Sequence, residues 1–585
     1  MTTSSKPSTM PSKDKSWISF ISPSHSLFGF ILFICFVISL IIRFVFITNP
    51  ELIRSDEPYY SFWGQYFLIS TPDHPAFIGY MIKPFIDLFG ENRFAYTLPF
   101  YLMMLVLTAV GAIALFRISK SSMPSIFFVL TMTLIPYFAG ISVIVSTETP
   151  LIFFAFLAIF TYFFAFFEKP QSTFLWLLGG FFLALALFSK LTAIFVIVGI
   201  FSYPILSKNR KQHLKNHRLY LSMLPIIIMA LIILIDDYYH DFWLVRYTLI
   251  RSDRPFSYIN QWDKPLGMIF SQFNIFSPLL VILIPILLTR SFKNYFSKDE
   301  KQTSSTDKIS LLSKEQNFFF VATSLLPIIY ALYKVATTFL GSYWTSFAYP
   351  SMLLLCCFYL AEKWQQGLFR KRIFLNYFLC FLFIIFVYFH TFYGVVDPNF
   401  NPQNKKEEKF LQYNYFMSGI AKFFQKNFNQ IPADNTDRYY DYSSLVNEFP
   451  DFYQSSMKKD VPILSLGYSS AAIINFFSKP KIAAAAFSHV TFSAWDDSIL
   501  GAAPNLFDYT YDFSTLKGKD IYFIVENNDM PLSEITQKIQ PYADKVTLVK
   551  VFSSYRKGKF LRRYPLFYLT NFKHNEAKLS TPKSN

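Results

Sequence analysis

Charge is scarce in this sequence. Asp, Glu, Lys and Arg make up 16% of it, where soluble domains carry about 25%. With 53% hydrophobic residues and 72 Phe, most of the chain cannot present a water-facing surface, which excludes a soluble globular fold for the bulk of it. Cysteine is scarce as well: Cys35, Cys356, Cys357 and Cys380 all lie inside apolar runs, so none is placed to staple an exported loop. No internal repeat is evident, and with it goes the inverted-repeat signature of many carriers. Nor is there a basic module interleaved with aromatics, so the formal charge of +16 does not point to nucleic acid.

What the chain has is apolar runs of membrane length. A span needs about 20 mostly apolar residues, and eleven candidates begin near Leu27, Phe94, Ser125, Leu151, Thr173, Leu191, Leu219, Leu266, Asn317, Trp344 and Phe374. The expected fold is an α-helical polytopic membrane protein of about 11–13 transmembrane helices with a C-terminal soluble α/β domain. The polar segment 1–24, with Lys6, Lys13 and Lys15, reads as a cytoplasmic tail. The apolar run after it is longer than a signal peptide's core of about 7–15 residues, so the first span is retained.

That orientation places the loops 117–123, 168–172, 207–218, 290–314 and 362–372 inside, and each carries Lys or Arg as the positive-inside rule requires. It places 48–93, 146–149, a turn at Lys190, 236–264 and everything after about 393 outside. The turn at Lys190 is decisive, because fusing the two short spans around it would turn the remaining basic loops outward. Residues 25–396 then form a transmembrane domain whose first outer loop is 48–93, and 397–585 an outer α/β domain. In that tail the apolar runs shorten to strand length at 461–466, 521–525 and 546–552, with helical character over 531–543.

The densest polar chemistry lies just after the first span. Asp56 and Glu57 are adjacent acids beside Tyr59, Tyr60 and Trp63 at a membrane boundary. An interfacial helix with an aromatic belt would account for the aromatics, and a catalytic pair accounts for the acids. Further along, Asp56-Glu-Pro-Tyr-Tyr60, Asp73-His-Pro75 and Phe89-Gly-Glu-Asn-Arg93 follow in order, then Ser146-Thr-Glu-Thr-Pro150, Phe188-Ser-Lys-Leu-Thr192 and Ser342-Tyr-Trp344. In the tail stand Leu466-Gly-Tyr-Ser-Ser470, Asn475-Phe-Phe477 and Ser493-Ala-Trp495. Taken in order, these segments resemble the dolichyl-phosphate-mannose-protein mannosyltransferase and aminoarabinose transferase superfamily, in its bacterial branch. Glu148 stands where that pattern usually has Asp, which puts its carried-over role in question.

The resemblance implies the GT-C membrane glycosyltransferase fold and a donor sugar carried on a polyprenyl (undecaprenyl) phosphate, with inversion at the anomeric carbon. It implies a leaving lipid phosphate that gains charge in the transition state, for which His74, Lys190, Arg251 and Arg254 are the candidate cations. Lys190 is the most telling, since a lysine between two apolar runs is costly; a snorkelling lysine is its bland alternative. His74 as a packed neutral residue and Arg254 as an ion pair with Asp253 are the others. Asp56 is the central acid, a general base if the acceptor is a hydroxyl, or an orienting group for the donor sugar if the acceptor is an ionised phosphate. Glu57 shares that work or caps the helix. Tyr59, Tyr60, Glu148 and Trp344 are the candidate donor or acceptor contacts. Asp73 with His74 offers two donors to a divalent metal ion, too few by themselves to define a site.

The expected reaction moves an amino sugar to lipid A phosphate on the periplasmic face of a cell inner membrane, with protein or another surface glycan as the alternative acceptor. A secondary transporter or lipid flippase is the reading from a different class. Span number favours it, and Lys190 and Lys334 would line its path, but a carrier needs neither the acidic outer loop nor the large outer domain.

Overall fold

The computed structural model describes residues 23–50, 52–54, 56–252, 272–273, 275–297, 311–337, 342–393, 439–478, 482–487, 507, 511–526, 530–556 and 559–573. The tail 1–22, Arg254, the span start at Leu266 and Ser493-Ala-Trp495 lie outside them.

Most of the described chain is helix. Among the described residues, seven helices are long and apolar enough to cross a membrane: Leu27–Thr48, Arg93–Ser119, Glu148–Phe167, His217–Tyr239, Pro278–Phe296, Lys314–Lys334 and Arg370–Tyr393. Ser122–Leu134, Thr173–Ser189 and Ala193–Leu206 are apolar but shorter, and Pro350–Gln365 completes the bundle. Helix is the form that lets each segment satisfy its own backbone hydrogen bonds in lipid. The starts shift from the expected ones where local chemistry dictates. Pro136 ends the helix Ser122–Leu134 and opens a short one, Pro136–Ile141. Pro350 opens the helix expected at Trp344, which instead lies in a 3₁₀ turn, Ser342–Ala348. At Lys190 the backbone is extended (φ −163°, ψ 134°), so the chain does break there into two short helices.

The five basic loops meet at one end of the bundle and are joined in a ring. Arg117 bonds Glu168 at 2.7 Å, Arg218 donates to Gln171 at 2.8 Å, and the Lys208 amide donates to the Tyr295 hydroxyl at 2.8 Å. The Leu311 amide donates to Glu362 at 2.9 Å, and Gln365 closes the circuit on Ser121 at 2.9 Å.

The opposite end is built from the segment between the first two long helices. Here α1 is Pro23–Thr48, α2 is Asp56–Gln65, α3 is Phe77–Phe89 and α4 is Arg93–Ser119. The pair α2 and α3 cross backbone to backbone, where a Cβ on Gly64 or Gly79 would collide with the main chain of the other. Asn92 then caps α4, accepting from the Ala95 amide at 3.0 Å.

The tail carries a five-stranded sheet of order β2-β1-β3-β5-β4. Its strands are β1 Ile463–Ser465, β2 Ala484–Ala486, β3 Ile521–Ile524, β4 Lys545–Arg556 and β5 Lys559–Thr570. β1 runs parallel to both β2 and β3, while β5 is antiparallel to β3 and β4. Three strands and the helix Leu532–Ile539 fall where the sequence places them. β2 escapes sequence reading because it is a run of three alanines, and β5 because Arg562, Arg563 and Pro565 interrupt its apolar pattern. The sheet is tied to the last long helix by Arg556, which donates to the carbonyls of His390 and Thr391.

Candidate active site

Asp56 opens α2 and lines a cavity of about 390 Å³ at the end of the bundle opposite the basic ring. Arg54, Asp56 and Tyr60 supply polar groups, and Phe46, Tyr137, Ile275, Phe383, Ile384 and Val387 supply apolar wall. A charged mouth on an apolar slot suits a ligand with an ionic head and a hydrocarbon tail.

The surroundings of Asp56 come from separate parts of the chain. The Tyr468 hydroxyl donates to its Oδ1 at 3.3 Å, and the Tyr468 ring packs on Tyr59 at 4.4 Å between centroids. Tyr59 in turn donates to Asp73 Oδ2 at 3.1 Å. Asp56, Tyr59, Tyr60 and Asp73, expected from the sequence as site residues, are thereby brought together. His74 stands beside them, its carbonyl accepting from the Thr71 hydroxyl at 2.8 Å. Among the described residues no three His, Cys, Asp or Glu side chains cluster as a metal site. Asp73 and His74 alone fall short of the six to eight ligands a calcium ion takes, or the four of zinc.

Glu57 takes a different position. It is buried (1% exposed), pairs with Arg93 at 3.2 Å, and accepts from the Arg54 amide at 3.3 Å. Burial pushes its carboxyl up, with the Arg93 charge pulling the other way. Arg93 is itself buried and donates to the carbonyls of Phe46, Leu52 and Val143 as well. One guanidinium thus gathers the end of α1, the start of α2 and the loop after residue 141, and so fixes where Asp56 stands.

A second ion pair lies on the same end. Lys190 bonds Glu148, whose other oxygen accepts from Ser346 at 3.0 Å. The two residues, expected separately as a phosphate ligand and a donor or acceptor contact, are partners of each other. Breaking a buried pair from one side strands the other charge at a cost of about 3–5 kcal/mol. Lys190→Met is therefore expected to lower the melting temperature of the detergent-solubilised protein sharply, and Glu148→Gln in the same chain to recover part of it. A melting curve unchanged by Lys190→Met would show that the pair does not carry stability.

Arg251 lies in the helix Trp243–Ser252 with its side chain outside the described residues, and the same holds for the side chain of Trp344. The loop that carries Arg251 is docked onto the first one: Asp236 accepts from the Ser70 amide at 2.8 Å and hydroxyl at 2.6 Å, and Trp243 donates to the same hydroxyl at 2.7 Å. Sequence reading missed Arg54 and Arg43, and gave no role to Arg93 and Tyr468 within the segments that carry the resemblance. Arg43 is buried in α1 and donates to the Ser39 carbonyl and the Ser142 hydroxyl, each at 3.2 Å. An arginine inside an apolar run was signal enough to flag it; the others carry no such mark.

Residues 73–235 match the family model of dolichyl-phosphate-mannose-protein mannosyltransferase. That segment, together with the polytopic helical bundle, makes the chain similar to membrane glycosyltransferases over those residues. Its fold is that of ArnT from Cupriavidus metallidurans. The apo structure of that protein is 11% identical with a TM-score of 0.54, over 93% of this chain and 98% of that one. Its structure bound to undecaprenyl phosphate is 12% identical with a TM-score of 0.54, over 93% and 97%. No curated protein matches by sequence.

Proposed function

We propose that this chain transfers a sugar, an amino sugar by the resemblance of its motifs, from an undecaprenyl phosphate donor to lipid A phosphate at the periplasmic face of a cell inner membrane. The observation that carries the reading is the cavity, which brings Asp56 and Arg54 together with an apolar wall. The slot suits the polyprenyl tail, and Arg54 meets the charge that develops on the leaving phosphate. Asp56 stands where the sugar meets its acceptor. The undecaprenyl phosphate bound to ArnT supports the same choice of donor. In this reading residues 25–396 are the membrane domain and 397–585 a periplasmic domain that roofs it, with the basic ring facing the cytoplasm.

The test is lipid A mass spectrometry on cells lacking the chain, carrying it, or carrying Asp56→Ala at matched membrane levels. The expected result is an amino-sugar mass present only with the unaltered chain. Unchanged lipid A would overturn the acceptor and direct the search to protein or another surface glycan. Transfer by the purified chain from an undecaprenyl-phosphate sugar, with no membrane gradient, separates the enzyme from a flippase.

A further inference from the structure

Tyr468 lies at the start of the helix Tyr468–Phe477, immediately beyond the carboxyl end of β1. β1 is flanked by β2 on one side and β3 on the other, both parallel to it, so the chain order reverses between β1 and β3. Crevices at the carboxyl ends of strands at such a reversal are where open α/β sheets bring their chemistry. Here that point meets the membrane bundle. The Tyr468 hydroxyl reaches Asp56 at 3.3 Å, and Phe476, on the same helix, packs edge-on against Phe62 of α2 at 4.9 Å.

The reversal point is held rigidly. Glu526, which follows β3, accepts from Ser470 at 3.3 Å and from Tyr442 at 2.8 Å, and pairs with Arg562. The Glu526 carboxylate packs directly against Gly467, where a Cβ would lie 2.6 Å from its Oε2. The phenol therefore has a fixed origin as well as a fixed target.

We propose that Tyr468 is a positioning residue for Asp56, so that the tail sheet completes the active centre instead of only covering it. The proposal rests on the reading of Asp56 given above. The Asp56 charge and burial together push the Tyr468 phenol well above its ordinary range, so it remains a donor at every working pH. Its hydrogen bond holds one carboxylate oxygen in place.

The experiment uses the full chain in detergent or nanodiscs with a panel of undecaprenyl-phosphate-linked sugars, aminoarabinose and mannose among them. Tyr468→Phe keeps the ring against Tyr59 and removes only the hydroxyl. The expected result is a fall in kcat of about 10-fold, the scale of a lost hydrogen bond to a charged group. KM for the donor and the melting temperature stay unchanged. In the Asp56→Asn background the same change has no further effect. A wild-type kcat, a raised KM with unchanged kcat, or a loss that tracks a lowered melting temperature would overturn the proposal. Asp56→Asn inactive beside an unaffected Tyr468→Phe would sink this proposal alone. A fully active Asp56→Asn, or no turnover of any donor by the unaltered chain, would sink the reading of Asp56 with it.

Discussion

Asp56→Asn is expected to lower kcat for sugar transfer by about 10²-fold, the scale of a lost orienting contact at the reacting centre. Asn has nearly the same volume and keeps an oxygen that can accept from Tyr468. The substitution leaves the Glu57–Arg93 pair untouched, so fold and cavity persist and only the charge is lost. Turnover of an undecaprenyl-phosphate sugar by the purified chain measures the effect, beside a melting curve and direct binding of undecaprenyl phosphate, both expected unchanged. Wild-type turnover would remove Asp56 from the chemistry. Lost binding with normal turnover at saturating donor would assign it to donor recognition.

Arg93→Met is expected to cost about 3–5 kcal/mol of stability, because it leaves the Glu57 carboxylate buried without its counter-charge. The pH dependence follows from the direction of the Glu57 shift. Burial raises that carboxyl above its ordinary value in the folded chain. The acid's contribution is therefore fully present below the ordinary carboxylate range and is lost as pH rises through the raised value. Without Arg93 the upward push loses its largest opponent, with the Arg54 charge and the Arg54 and Val145 amides still pulling down, so the loss spans a wider window. The deficit in melting temperature should accordingly be larger at pH 8 than at pH 5. Glu57→Gln added to Arg93→Met should restore part of it. Recovery stays incomplete, since the carbonyls of Phe46, Leu52 and Val143 still lack their donor. An equal deficit at both pH values would refute the account of Glu57.

Much of the architecture was legible because it follows from solvent. Apolar length located the spans, and the basic loops assigned to one side do meet in one ring. Three of the five strands and the tail helix came from the switch in apolar period. Of the acids and aromatics after the first span, Asp56 and Tyr60 line the cavity, and Tyr59 bonds Asp73 beside them. Roles within charged sets were less legible. Glu57 and Asp56 are neighbours in sequence, yet the turn of α2 places Asp56 on the cavity and Glu57 on Arg93. Lys190 and Glu148 read as two independent ligands until the packing made them one pair.

The sequence by itself determined that the chain lives in lipid, which of its loops share an end, and that its polar chemistry gathers after the first span. Those properties depend on composition and on the chain's immediate neighbours, since the transfer of each segment from water to lipid is settled locally. Only the tertiary structure decided which acid faces the cavity, which charges cancel, and that Tyr468 comes down onto Asp56 from more than four hundred residues away. Pairing of that kind has no local signature: it is set by how helices and sheet pack, and the low dielectric of the packed site then makes each contact decisive.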